Sequence, residues 1–539
     1  MILSLLRATM LGFTMTLLAV SSPSDPSLRE RLRDFSSILR MIRDDYVDSV
    51  DTHRLILHSI EGMLNNLDPH SDFLDADTYS KMTEEHRGSF FGVGMTIAVQ
   101  NGKLTVISPI EGTPAARAGI LTGDHVAAID GTRTEGITSD RAAELIRGPK
   151  GSRVTMTVRR EGVDQDMTFE LVRDEIPISS VPYAFFLDEG IAYIRLARFA
   201  KNTAAEMDEA RQRLLARGEI TGVILDLRGN SGGLLSSAVE VSDRFLEGGR
   251  LVVYTSGRIP RSNQKEIATG SRTWPAEPLV VVVDRGSASA SEIVAGAVQD
   301  WDRGIVVGRT TFGKGLVQNV YELAEGNALK LTTARYYTPS GRSIQREYNG
   351  TRLDYYRRAG HAEEDSLLPV TRSHGGRLLR GGGGIVPDVI LPEPRRLSRL
   401  EVEAQRRGIV FEEASHHLAR TPGMRDEFGT FEEFDAIFSP SEGLEDSLKA
   451  SFERAEVLID QVEWDAARTA LLQALKAEIA GHLWSPSERF RVLIRDDDDL
   501  LAAMERIDDA RTLLEGVLLP GRPDSVQWPG ERLDMPQAG

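Results

Sequence analysis

The octapeptide GRTTFGKG at residues 308–315 sets Lys314 between two glycines. Its spacing, Gly308 and then Gly313 with Lys314, is that of a phosphate-cradling loop. Gly315, however, stands where such a loop needs Ser or Thr to hold magnesium. A phosphate loop must also open a helix, whose first amides hold the anion. The residues that follow, LVQNVYEL, alternate and include Val317, Val320 and Tyr321, so they read as a strand. Nucleotide binding is disfavoured, and Lys314 is left for other chemistry.

Twenty-five residues upstream, LVVVVDRGSASASEIVAGAVQD reads as a buried strand ending at Asp284, a turn of small residues and a helix starting near Ser289. A hydroxyl at that junction stands at the edge of a sheet beside unpaired helix amides, where an acyl-transfer nucleophile can work. The amide of Ala290 can then hold the charge of a tetrahedral intermediate, worth about 3–4 kcal/mol per donor. The same stretch has a second reading, because Ser289 and Glu292 have the spacing of a helix capping box.

A serine nucleophile needs a base. All ten histidines fall at 53, 58, 70, 86, 125, 361, 374, 416, 417 and 482, outside the segment that holds Ser289 and Lys314. The absence of cysteine removes thiol nucleophiles, disulfides and Cys-ligated metals together. Lys314 remains. Desolvated beside Ser289, its amine would drop from ~10.4 towards neutrality at a cost of about 4 kcal/mol, and the neutral form can take the serine proton. Gly313 and Gly315 let the backbone crowd such a site. Gln318, alternating with Leu316 along the strand, is expected on the side of Lys314, where its amide can orient the amine.

The rest of the chain shows what must carry these groups. A length of 539 residues exceeds one core, and composition is that of folded protein, 41 % hydrophobic and 27 % charged. With 81 acidic and 64 basic side chains the net charge is −17, which repels phosphate backbones and excludes nucleic acid as an expected partner. Arg7, the apolar run Met10 to Val20 and the small residues after it read as a secretory signal over 1–21. The alternative is an uncleaved membrane anchor at residues 8–20; either places the protein in the periplasm or outside the cell. Residues 22–86 have helical periodicity, 87–173 form a small β domain, and 174–394 alternate strands and helices as a layered α/β core. Residues 395–539 are again helical. The fold expected is multidomain α+β.

SASASEI, TFGKGLVQ, DLRGNSGG and LTTARYYTPSGRSIQ, in this order, resemble the C-terminal processing, or tail-specific, proteases of the Ser/Lys class. The resemblance runs from about residue 27 to 394. It implies a crotonase-like protease core with no cofactor and no metal, Ser289 as nucleophile, Lys314 as general base and Gln318 as its partner. It also implies an oxyanion hole built from Ala290 and one glycine of DLRGNSGG, either Gly232 or Gly233. The family carries a PDZ domain before its core, and FFGVGM is similar to that domain's carboxylate-binding loop. The amides of Phe91, Gly92, Val93 and Gly94 would receive a chain terminus there, and the strand after them would pair with the peptide by β-addition. The bland alternative for this loop is a glycine turn in a small barrel.

The substrates implied are proteins or peptides with free, apolar C-termini, cleaved by a serine endopeptidase. The rival is a non-catalytic tail-binding scaffold on a protease-like core. The stretch 375–384 and HAEEDSLLPVTRSHGG before it read as a mobile insertion. The helices of 395–539 exceed what the family core requires, and docking on the core, self-assembly and an adaptor are open roles for them. DDDD at 496–499 is expected to be a solvated helix start.

Overall fold

The computed structural model describes residues 27–160, 163–270, 274, 277–348, 351–357, 359 and 369–516. The expected signal or anchor lies outside them. The chain divides after Leu67 into two compact units, taken here one at a time. The first contains α1 (Leu28–Asp45) and α2 (Thr52–Asn65). A reciprocal Ser27–Glu30 capping pair starts α1, and the Asp51 carboxylate takes the His53 and Arg54 amides at the start of α2.

The second unit begins with the β domain. Its first strand, β1 (Ser89–Gly92), pairs with β7 (Asp174–Pro177) rather than with the main sheet. The sheet itself runs β2 (Met95–Gln100), β3 (Lys103–Pro109), β4 (His125–Ile129), β5 (Arg153–Arg159) and β6 (Met167–Val172), all antiparallel, with β2 at its edge. The helix α3 (Ser139–Ile146) packs beside β2. Val93, Leu104, Val106, Val126, Met156 and Val158 fill this domain's own core.

The α/β core is a six-stranded sheet in the order β8 (Tyr183–Asp188), β9 (Ile191–Arg195), β10 (Gly222–Asp226), β11 (Leu279–Val283), β12 (Ile305–Gly308) and β15 (Val389–Ile390). All pairs but the first are parallel. Every residue of β10 and β11 is buried, as parallel strands require when both faces are covered. Alternate side chains go opposite ways. Val223, Leu225, Val281, Val283 and Val306 pack with α4 (Thr203–Leu215), α5 (Leu235–Asp243) and α6 (Ala290–Asp300).

Ile224, Val280, Val282 and Val307 face the other way, onto Ile494, Leu500, Ala503, Ile507 and Ala510. These belong to the C-terminal segment, through α7 (Asp498–Met504) and α8 (Ile507–Leu514). Gly222 lets α8 approach, since a Cβ there would stand 2.9 Å from Ile507 Cγ2. Within the 395–539 extension, α7 and α8 are thus a layer of the core, while its helices from Arg399 to Leu493 have a separate core around Phe434, Phe452, Trp464 and Leu475. The extension also reaches the β domain, where Asn101 at the β2–β3 turn donates to Glu412.

A second sheet takes in the strand just after Lys314. In it β13 (Leu316–Glu322) pairs with β14 (Ala328–Tyr337), which also pairs with strands Asp72–Leu74 and Leu251–Ser256. GRTTFGKG therefore leads into a strand and not a helix.

Candidate active site

Ser289 is the cap of α6, immediately after the turn that follows β11. Its φ of 55° with ψ of −109° is unusual for a residue with a Cβ and carries about 1–3 kcal/mol of strain. Glu292, in the first turn, supplies the reciprocal cap expected from sequence, its carboxylate accepting the Ser289 N–H at 2.7 Å. The same oxygen accepts the Lys314 N–H at 2.9 Å. Its other oxygen takes the Gly313 N–H at 2.7 Å and the Thr311 hydroxyl at 2.6 Å. One carboxylate therefore gathers the serine and lysine segments, and the main-chain nitrogens of Ser289 and Lys314 lie no further apart than the sum of two hydrogen bonds.

Tyr336, from β14, closes the same junction: its hydroxyl lies 3.0 Å from the Ser289 carbonyl and also bonds the Lys314 carbonyl. Phe312 N–H adds a bond to the Ser287 carbonyl at 2.9 Å. Glycine makes the crowding possible. Gly313 sits at φ 85°, and a Cβ on Gly315 would come 2.9 Å from the Gln345 nitrogen.

Burial, and then the nearby charge of Lys330, bring the Lys314 amine down from 10.5 to about 8, against the pull of Glu292 and Asp68. Burial pushes Glu292 up, although its four donors favour the ionised form. His70 also faces this region. Its Nε2 lies 2.9 Å from the Tyr355 hydroxyl, and burial followed by the charge of Lys314 lowers the ring to about 3. That makes it a poor proton acceptor. Sequence reading set His70 aside because it lies more than 200 residues from the serine in the chain; only tertiary folding brings it near Lys314.

The glycine turn of DLRGNSGG sits against Ser289. A Cβ on Gly232 would be 2.9 Å from the Ser289 Cβ and 3.0 Å from the Ala290 nitrogen. Gly232 N–H already donates to Asn230 Oδ1 at 2.9 Å. Gly233 and Ala290 N–H groups have no partner among the described residues.

Three expectations change. At Gln318 the register with β14 shifts, Thr333 being the extra residue between the partners Ala334 and Thr332. The Gln318 amide nitrogen lies 3.5 Å from Thr332 Oγ1, and no hydrogen bond joins it to Lys314 among the described residues. The stretch 375–384 forms structure that backs the lysine loop. Leu378–Arg380 pairs with Val370–Arg372, Gly382 and Gly384 N–H groups bond the Ser343 and Ile344 carbonyls, and Ile385 N–H bonds Thr311 Oγ1. Residues 360–368 of the preceding segment lie outside the described residues. DDDD does start a helix, but Asp499 is only 9 % exposed and faces arginines, not solvent.

In the β domain, Phe91 and Gly92 belong to β1, and its pairing with β7 commits alternate amides. The carbonyls of Val93 and Gly94 are tied to Ala115, Ile110 and Thr113, while the amides of Val93 and Gly94 have no partner among the described residues.

The family model "Peptidase family S41" matches residues 190–356, and "PDZ domain" matches 105–160. The carboxy-terminal-processing protease of Bartonella bacilliformis is 39 % identical over 330 residues, 61 % of this chain and 75 % of that protein. Carboxy-terminal processing protease CtpB of Bacillus subtilis is 34 % identical over 310 residues, 57 % of this chain and 64 % of that protein. Among solved structures, the photosystem II D1 C-terminal processing protease is 28 % identical, covering 66 % of this chain and 86 % of that one, with a TM-score of 0.33.

Proposed function

This chain belongs to the carboxy-terminal processing protease family and is a serine-type peptidase, and we propose that it works by a Ser289/Lys314 dyad on proteins whose C-termini its PDZ domain engages. The observation that carries the reading is the Glu292 carboxylate, which receives the N–H of both residues.

With an amine at about 8, an appreciable fraction of Lys314 is neutral near pH 7.5. Its Nζ takes the Ser289 proton as Oγ attacks the substrate carbonyl carbon. The resulting oxyanion lies towards the N–H of Ala290 and that of the glycine turn, where Gly233 N–H has no partner among the described residues. Collapse breaks the C–N bond, and the lysine ammonium returns its proton to the departing amine. Water, deprotonated by the same amine, then hydrolyses the acyl-serine and releases the new carboxyl terminus.

The edge strand β2, beside α3, offers a template on which a peptide tail can add as a strand, and the Val93 and Gly94 amides lie at its head. We place the protease in the periplasm or outside the cell, reached through the N-terminal signal. The test is cleavage of an unstructured peptide ending in free apolar residues. Ser289→Ala and Lys314→Ala each fold and abolish turnover, and amidating the tail weakens engagement. A Lys314→Ala enzyme that kept most of its turnover would end the dyad assignment.

A further inference from the structure

The parallel sheet ends in two loops that carry the chemistry. The loop after β10 holds Arg228 and then the glycine turn; the loop after β12 holds Arg309 and then Lys314. Both arginines point to the start of α7. Arg309 grips Asp499 through two nitrogens, at 2.7 and 2.9 Å, and its Nε bonds the Pro392 carbonyl. Arg228 Nη1 bonds Asp497 at 2.9 and 3.0 Å and Asp499 at 3.2 Å. The other side of Arg228 is held by Asp226, itself wholly buried and also paired with Arg195 and the Tyr193 hydroxyl.

From Arg228 the restraint continues to the serine. Gly229 N–H bonds Asp284, whose same oxygen takes Gly286 and Ser287 N–H. The Asn230 carbonyl takes Ala288 N–H at 3.0 Å and the Ser291 hydroxyl at 2.8 Å, and Asn230 Oδ1 takes Gly232 N–H. From Arg309 only five residues lead to Lys314, and Thr311 among them is bound to Glu292. Asp499 is thus the one carboxylate of the extension that contacts arginines from both loops among the described residues.

We infer that Asp499, with Asp497, is a positioning residue for the protease: the first turn of α7 clamps the oxyanion loop and the base loop to one another from behind the site. Packing alone would not require this arrangement. The apolar side chains of α7 and α8 already cover the sheet, and the bidentate Arg309–Asp499 pair, with Arg228 Nη1 shared between Asp497 and Asp499, adds geometric definition to what it joins. The inference rests on the Ser289/Lys314 reading. It gives the C-terminal extension a part in catalysis, so that a partner or ligand displacing α7 would turn the enzyme down.

The experiment uses the full chain and the apolar-tailed peptide, with rates normalised to folded enzyme well below the melting temperature. Asp499→Asn keeps the shape and removes the charge. The expected result is a kcat lower by roughly 10- to 100-fold with KM within about 2-fold, because misplacement of reacting groups by a fraction of an ångström suffices. Asp499→Glu restores part of the loss, and Asp498→Asn, an exposed neighbour in the same acidic run, leaves kcat unchanged. If Asp499→Asn does not fold, Asp497→Asn, which keeps an amide oxygen to cap α7 and weakens the hold on Arg228, gives the milder loss in kcat. A melting temperature that falls while kcat per folded molecule stays at the wild-type value overturns the inference and leaves α7 a covering layer. Ser289→Ala runs in parallel: residual turnover there would sink the dyad itself, whereas a dead Ser289→Ala beside a fully active Asp499→Asn sinks only the clamp.

Discussion

Glu292 and Asp226 are both buried carboxylates beside the segments of the proposed dyad and its glycine turn, and they are held by opposite means. Asp226 is held by two charged partners, Arg195 and Arg228, and by the neutral Tyr193 hydroxyl. Burial pushes it up, but the arginines outweigh burial and hold it below the usual carboxylate range. Glu292 receives four uncharged donors and no arginine, and burial leaves it raised. The frame behind the site is built from ion pairs, whereas the site itself is organised by a carboxylate whose roughly four acceptor positions are all used by amides and a hydroxyl. Burial, and then the charge of Lys330, keep the Lys314 amine near 8, although Glu292 and Asp68 pull it up.

This contrast can be broken most forcefully at Glu292. Glu292→Ala strands the buried N–H groups of Gly313, Lys314 and Ser289 together with the Thr311 hydroxyl, at about 1–3 kcal/mol for each orphaned group. We expect loss of measurable turnover and a large drop in melting temperature, followed by calorimetry and peptide cleavage. Asp226→Asn comes next. Removing one partner of a buried pair should cost about 3–5 kcal/mol, read by urea unfolding. A loss below about 1 kcal/mol would mean that the arginines find other partners.

The pH dependence sharpens the same contrast. Activity expressed as kcat/KM should rise about tenfold per pH unit up to about 8 and then level, as Lys314 loses its proton. A plateau already reached at pH 6 would show a different base. Stability has the matching sign. Folded Lys314 binds fewer protons than the unfolded chain between about pH 8 and 10.5, so its contribution to stability increases with pH across that window; at neutral pH it costs about 3 kcal/mol. Asp226, lowered by its arginines, stabilises above the ordinary carboxylate range and loses that contribution as pH falls through its folded value. Glu292, raised by burial, does the reverse, and Glu292→Gln should flatten that part of the profile. The smallest effect belongs to Asp498→Asn, an exposed position where a change within about 0.5 kcal/mol is expected.

Much of the site was legible because residue types exclude alternatives. Without cysteine, and with no histidine in the segment from β8 to β14, a lysine became the candidate base, and Lys314 was singled out among Lys201, Lys265, Lys314 and Lys330 by its flanking glycines and by the resemblance of TFGKGLVQ. Glu292 was visible only as a capping partner; its bonds to Gly313 and Lys314 arise from a loop 20 residues away. Gln318 has no bond to Lys314 among the described residues, since alternation assigns a side chain to a face and leaves its hydrogen-bond partner open. His70 and Asp499 were missed for a shared reason, since each acts on residues roughly 200 or more positions distant.

The chain alone determined the local elements: a buried strand of valines ending in a small-residue turn, a helix opening at Ser289, and a strand following Lys314. Those choices depend on short-range sterics, backbone hydrogen bonding and the period of apolar side chains, all written into neighbouring residues. A run such as LVVVV also required cover on both faces. Which helices would supply the second cover, and that their acidic first turn would close on Arg228 and Arg309, only the tertiary structure decided. Ion pairing and burial are set by distance in space, and separation along the chain carries almost no information about it.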